Sequence, residues 1–164
     1  MKVIFLDVDG VLNELGSTSR CCGMLGVDED KVKRLSDIVM RTKAVIVLTS
    51  TWKSDWFRCE YEEDLPTMGL YLQQKLRKYG VHILDKTTDV EWSKRGDGIK
   101  RWMNECKVPI ESFCIIDDET FDYEEEGLMD RLVKTSFYGD VGGLHTSHVE
   151  RAIELLNNTI TKVV

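Results

Sequence analysis

Five short apolar runs, separated by stretches of helical periodicity, constrain this chain more than any other feature. They are Val3–Leu6, Ala44–Leu48, Val81–Leu84, Phe113–Ile116 and, more briefly, Leu132–Val133. Runs this short, continuous and rich in β-branched residues suit strands buried on both faces of a parallel sheet. The segments between them carry apolar residues at helical spacing. Asp28 is placed to cap a helix bearing Val32, Leu35 and Val39. Pro66 opens one with Met68, Leu72, Leu76 and Tyr79 that closes at Gly80. Ile99, Trp102, Met103 and Cys106 follow Asp97 at i, i+3, i+4 and i+7. Ser147 and Glu150 have the spacing of a capping box for a helix with Val149, Ala152, Ile153 and Leu156.

This alternation predicts an α/β domain with a mainly parallel sheet of about five strands and right-handed crossovers. With two prolines, no Ser/Gly-rich run and no internal repeat, the 164 residues are expected to form a single domain over 1–164. In open sheets of this type a ligand sits beyond the carboxyl ends of the strands. The residues that follow each apolar run are therefore the candidates for function.

Composition removes several classes. The 29 acidic residues outnumber 22 basic ones, giving a net charge of -7. Indiscriminate nucleic-acid binding rests on phosphate neutralisation by Lys and Arg, so no stable nucleic-acid complex is expected. The first apolar run is broken by Asp7 and Asp9, unlike the core of a signal peptide. No stretch approaches the roughly 20 apolar residues of a membrane span. Five irregularly spaced cysteines fit a reduced, cytoplasmic setting better than a disulfide framework. The pattern does not specify an oligomeric state.

After the first run come Asp7, Val8, Asp9 and Gly10. Strand alternation would put both carboxylates on one side, where they repel unless a cation neutralises them. A hard divalent ion, Mg²⁺ above all, suits such a pair. Gly10 permits a sharp exit that brings backbone amides near an anion. A calcium loop starting at Asp7 is excluded: it would need an oxygen ligand at Val11, Gly at Leu12 and Glu at Thr18. After the second run come Thr49, Ser50 and Thr51, whose hydroxyls can bond a phosphate oxygen or cap the next helix. Lys94 and Arg95 precede the third helix and can offset clustered negative charge, or face solvent. Asp117 and Asp118 close the fourth run. Carboxylates placed together are costly without a cation unless both reach water.

Taken in order, FLDVDGVLN, IVLTSTWK, Lys94-Arg95 and FCIIDDETFD resemble the four motifs of the haloacid dehalogenase-like (HAD) superfamily. Within it, VLN after DxDG, TSTWK, RGDGIKRWM, IIDDE and KTSF…GGLHTSHVERAIELL look most like the small HAD domain of RNA-repair "Swiss army knife" proteins. The resemblance implies a Rossmann-like, three-layer fold and a Mg²⁺-dependent phosphomonoesterase that works through an aspartyl-phosphate. Asp7 would be the nucleophile, and Asp9 the general acid and later the base. Asp7, the Asp9 carbonyl and an acid of the Asp117–Asp118 pair, Asp118 before Asp117, would hold the metal. Thr49, with Ser50 its competitor, would bond the phosphoryl group beside Gly10. Lys94, with Arg95 the alternative, would steady its charge.

Residues 13–27 are long enough for a flap but not for a folded cap, so the domain is expected to be capless. An open site suits a large phosphorylated substrate, such as a nucleic-acid end or a phosphoprotein, and also admits small ones. Trp52, Trp56 and Trp92 could stack on a base or pack in the core. The acidic stretch 60–64 and Glu124–Glu126 are expected to face solvent. His145 and His148 suit a capping turn better than a metal site. Two rival functions keep the acid cluster: a phosphorylated signalling module resembling a response-regulator receiver, and a catalytically silent binding domain on the same scaffold.

Overall fold

The computed structural model describes residues 1–57, 66–89 and 91–159, without the side chains of Trp56 and Phe57. The acidic stretch 60–64, Cys59 and the Trp56 ring lie outside what it describes. Its centre is a five-stranded parallel sheet, built from β1 (Lys2–Leu6), β4 (Val45–Leu48), β5 (Ile83–Lys86), β6 (Ser112–Asp117) and β7 (Leu132–Lys134). The order across it is β5-β4-β1-β6-β7. A separate two-stranded hairpin, β2 (Arg20–Cys21) and β3 (Met24–Leu25), stands in the expected flap region. The helices are α1 (Glu29–Thr42), α2 (Thr67–Arg77), α3 (Arg95–Glu105) and α4 (Thr146–Asn157).

The strands run where the apolar runs predict, with one offset. The third lies at Ile83–Lys86, two residues beyond the expected span, and Val81 is buried in the approach to it. Strand alternation divides the core in two. Ile4, Leu6, Ile46 and Leu48 pack against α1, α2 and α4, through Val32, Leu35, Leu72, Leu76, Val149 and Ile153. Val3, Phe5, Val47, Phe113 and Ile115 pack on the other face against Ile99, Tyr123 and Leu128. Phe5 meets two rings edge-on, Trp102 at 5.5 Å and Phe113 at 5.8 Å. Each large side chain so buried contributes roughly 1.5–3 kcal/mol relative to exposure. Covering both faces explains why β6 reads as one apolar run, since all six of its residues are buried.

Helix starts depart from the sequence reading in three places. Asp28 occupies the N-cap position, but its carboxylate is taken by Ser17 and Lys31 and caps nothing. α3 begins at Arg95 rather than after Asp97, because Asp122 reaches across and accepts from the N–H groups of Gly96 (2.7 Å) and Asp97 (3.2 Å). α4 starts at Thr146, so Ser147 and Glu150 form no capping box; His148 Nδ1 instead accepts from the His145 N–H at 3.0 Å. The two histidines do make the expected capping turn.

The flap is anchored at its root. Lys31 is buried between Glu14 (2.8 Å) and Asp28 (3.1 Å), and the Tyr71 hydroxyl accepts from the Val27 N–H. Among the described residues Cys21, Cys22, Cys106 and Cys114 are free thiols, and no helix is long and apolar enough to cross a membrane.

Candidate active site

β1 is the central strand, and its carboxyl end delivers Asp7 between the ends of β4 and β6. The Asp7 N–H still bonds the Ile116 carbonyl, so the ladder holds the residue in register. The chain then turns at 9–12, and strand alternation no longer governs Asp9. Gly10 lies at φ +72°, and a Cβ there would stand 2.2 Å from Asp118 Cγ. Only glycine allows both the turn and that approach. The Gly10 N–H is bonded by Asn13 Oδ1 at 3.0 Å, so this amide serves the turn and not an anion. Its carbonyl accepts from the Thr135 hydroxyl at 2.6 Å.

Asp7, Asp117 and Asp118 each bring a carboxylate oxygen to within 4.8 Å of the others. Asp7 is 3% exposed and Asp117 wholly buried. Asp117 is saturated by donors: Arg95 (2.8 Å), the Tyr123 hydroxyl (2.8 Å) and the Glu119 N–H (2.9 Å). Burial first, and then the charge of Asp7, push its carboxyl up to about 7. The same two causes push half-buried Asp118 up to about 6. Such shifts mark a cluster short of positive charge.

Arg95 supplies the cation. Its guanidinium is also 2.9 Å from Asp7 Oδ2 and lies 4.2 Å from the centre of the Phe121 ring. Burial works against its charge, but Asp7 and Asp117 outweigh that and hold it above its ordinary value. Lys94, the first choice from sequence, turns outward, where its ammonium meets exposed Glu125 at 3.2 Å. The reason is helix phase. With α3 beginning at Arg95, the first helical residue faces the sheet end and the residue before it faces solvent.

Thr49 and Ser50 also separate. The Ser50 hydroxyl lies 3.4 Å from the Trp52 N–H, a capping contact at the start of the 3-10 turn Thr51–Phe57. The Thr49 hydroxyl is buried and bonds nothing. Among the described residues four buried side-chain atoms lack a partner, and three belong to this one rim: Asp7 Oδ1, Thr49 Oγ1 and Asp89 Oδ1. Orphaned buried polar atoms are rare in folded proteins, and their concentration here indicates an unmade interaction.

Asp9 stands apart from the three carboxylates. Asn13 donates to its Oδ1 (2.8 Å) and the Trp52 indole to its Oδ2 (3.0 Å). Trp52 is thus a buried positioning group and not a stacking surface, whereas Trp92 is 71% exposed. The buried Lys53 ammonium donates to the Thr49 carbonyl (3.0 Å), the Thr87 hydroxyl (2.9 Å) and Asp89. Burial pushes its pKa down despite Asp89. The sequence reading quoted Asn13, Lys53 and Thr135 within motifs but gave them no role, and it missed Asp89 and Tyr123. Glu124 and Glu125 are exposed as expected, and Glu126 pairs with Lys100 at 2.9 Å.

This chain, with its oxygen trio at the carboxyl end of the central strand, matches the model of a known family. The HAD domain in Swiss Army Knife RNA repair proteins matches residues 3–149. The chain belongs to this family. No curated protein and no solved structure gives a significant match. The match runs from β1 into α4, so all four motif segments of this HAD domain lie inside it.

The donor set fits Mg²⁺. Three carboxylates within 4.8 Å offer only hard oxygen ligands, and Asp7 Oδ1 has no other partner.

Proposed function

We propose that this HAD domain is a Mg²⁺-dependent phosphomonoesterase that works through an aspartyl-phosphate on Asp7. The observation that carries the reading is the unpartnered oxygen of Asp7, held among Asp117, Asp118 and Arg95 and beside the unpartnered hydroxyl of Thr49. Asp7, the Asp9 carbonyl and Asp118 would hold the ion. Asp117 serves better as the anchor of Arg95, since three donors already occupy it. When bound, Mg²⁺ neutralises the carboxylates and lets a phosphate dianion approach. At 4 Å and an effective dielectric near 20, one such charge pair is worth about 4 kcal/mol.

Asp7 attacks phosphorus, and the bond to the leaving oxygen breaks as Asp9 gives that oxygen a proton. A water then attacks the aspartyl-phosphate and passes its proton to Asp9, which releases phosphate and restores Asp7. Thr49 donates to a phosphoryl oxygen and Arg95 steadies its charge, as a charge-spread transition state requires. Asn13 and Trp52 aim Asp9 throughout. The rim carries a hairpin flap and, among the described residues, no folded cap, which suits a large substrate such as a nucleic-acid end.

The test is phosphate release from an aryl phosphate, with and without chelator, in wild type and Asp7→Asn. Chelation should stop turnover, and Asp7→Asn should lower it by at least about a thousandfold. Equal turnover in the two proteins defeats the reading.

A further inference from the structure

Beside the acid trio lies a cavity of about 340 Å³ that phosphate chemistry alone does not fill. Its buried wall is Thr49, Lys53 and Arg95, which places it directly against the Asp7 cluster. Its outer members, Thr51, Ser54 and Trp92, are exposed.

The charges of this cavity are already matched. Lys53 is closed by Asp89, and Arg95 by Asp7 and Asp117. Among the described residues no cation of the wall is left free to hold a second phosphate, so the space suits an uncharged group. Trp92 specifies the shape of that group. It is the most exposed of the large apolar side chains among the described residues, at 71%. One edge meets the Phe121 ring at 6.0 Å and 88°, and Phe121 carries the Arg95 guanidinium on its face. The indole is thereby braced against the ring on which the Asp7-bound Arg95 rests, yet most of its surface is exposed. A braced aromatic left bare at a pocket mouth is a preorganised stacking surface.

We propose that this cavity is a leaving-group subsite in which Trp92 stacks on the base of a nucleotide whose phosphate faces Asp7. The inference rests on the phosphomonoesterase reading and names its substrate class. A nucleotide fits better than an aryl phosphate such as phosphotyrosine. The Phe121 ring stands between Arg95 and Trp92, so the stacking face lies one group away from the phosphate, where a sugar is the spacer. The hydroxyls of Thr51 and Ser54 offer partners to a base or sugar edge, which a phenyl ring cannot use.

The experiment measures binding first and turnover second. The full chain carrying Asp7→Asn is titrated in a calorimeter with uridine 3′-monophosphate, a short oligoribonucleotide ending in a 3′-phosphate, glycerol phosphate and phosphotyrosine. Both nucleotide probes should bind more tightly than the other two, and the tighter of the pair identifies a free nucleotide or a chain end as the source. Adding Trp92→Ala should narrow the nucleotide-to-glycerol-phosphate ratio of affinities by about ten- to a hundredfold, and Trp92→Phe should restore most of it. The same ratio of kcat/KM is then measured with Asp7 intact. A preference for phosphotyrosine, or a ratio that Trp92→Ala leaves unchanged, overturns the subsite. Base preference without Asp7-dependent turnover upholds the subsite and removes the enzymatic reading, while turnover without base preference does the reverse.

Discussion

Two buried charge clusters lie within a few residues of each other in the chain, one at the root of the flap and one at the end of β1. At the flap root, Lys31 sits between Glu14 and Asp28, whose side chains keep 23% and 16% exposure. Negative charge is in excess there too, but water screens it, and no polar atom is left orphaned. At the end of β1, one guanidinium faces Asp7, Asp117 and Asp118, and the first two are almost dry. Here the excess appears as raised carboxyl pKa values and an oxygen without a donor. The same imbalance is harmless when hydrated and becomes a demand for a cation when dry.

The strongest way to break this comparison is to remove each cation in turn. Arg95→Met leaves three close carboxylates unneutralised and should lower unfolding free energy by about 3–5 kcal/mol in urea. Lys31→Met should lose clearly less, because its partners can rehydrate. Equal losses would show that the two clusters are electrostatically alike.

A pH series sharpens it. Asp117 and Asp118 hold protons more tightly when folded, with pKa values of about 7 and about 6, than at the ordinary carboxyl value of 3.8. Raised carboxyl values stabilise the fold fully below about pH 4, and that contribution is lost as pH rises through 6 and 7. With chelator present, the melting midpoint should therefore drop by several degrees between pH 5 and 8. Mg²⁺ should recover more of it at pH 8 than at pH 5. A flat profile in both conditions would contradict the dry-cluster description.

Thr49→Val tests the orphan hydroxyl. Removing a buried group that bonds nothing should leave stability unchanged or slightly raised, while kcat/KM for phosphate release falls about tenfold. The smallest effect belongs to Lys94→Ala. Its exposed pair with Glu125 is remote from Asp7, so neither the urea midpoint nor turnover should move measurably.

That last contrast also shows what can be read from sequence. The sheet was legible because β-branched runs buried on both faces leave little else for a chain to do, and the candidate groups Asp7 and Asp9, Thr49 and Ser50, and Asp117 and Asp118 followed from lying just beyond those runs, while the choice within each group came from the family resemblance. Lys94 against Arg95 was not legible. One residue along a helix is a rotation of about 100°, and the start of α3 is set by Asp122, a residue 26 positions from Gly96 in sequence. Trp52, left open between a stacking surface and a core position, lies in the core for a related reason: its indole finds a carboxylate on another element. Lys53 and Asp89 meet across 36 residues, and no local pattern announces such a pair.

The contact of Gly10 with Asp118 has a consequence for biosynthesis. The two residues are separated by most of the chain, yet their packing leaves no room for even a methyl group between them. A polypeptide still emerging from the ribosome carries the early aspartates long before it has the strand that completes their neighbourhood. The acidic pouch is therefore a late product of maturation, and a fragment ending before β6 lacks two of its three carboxylates.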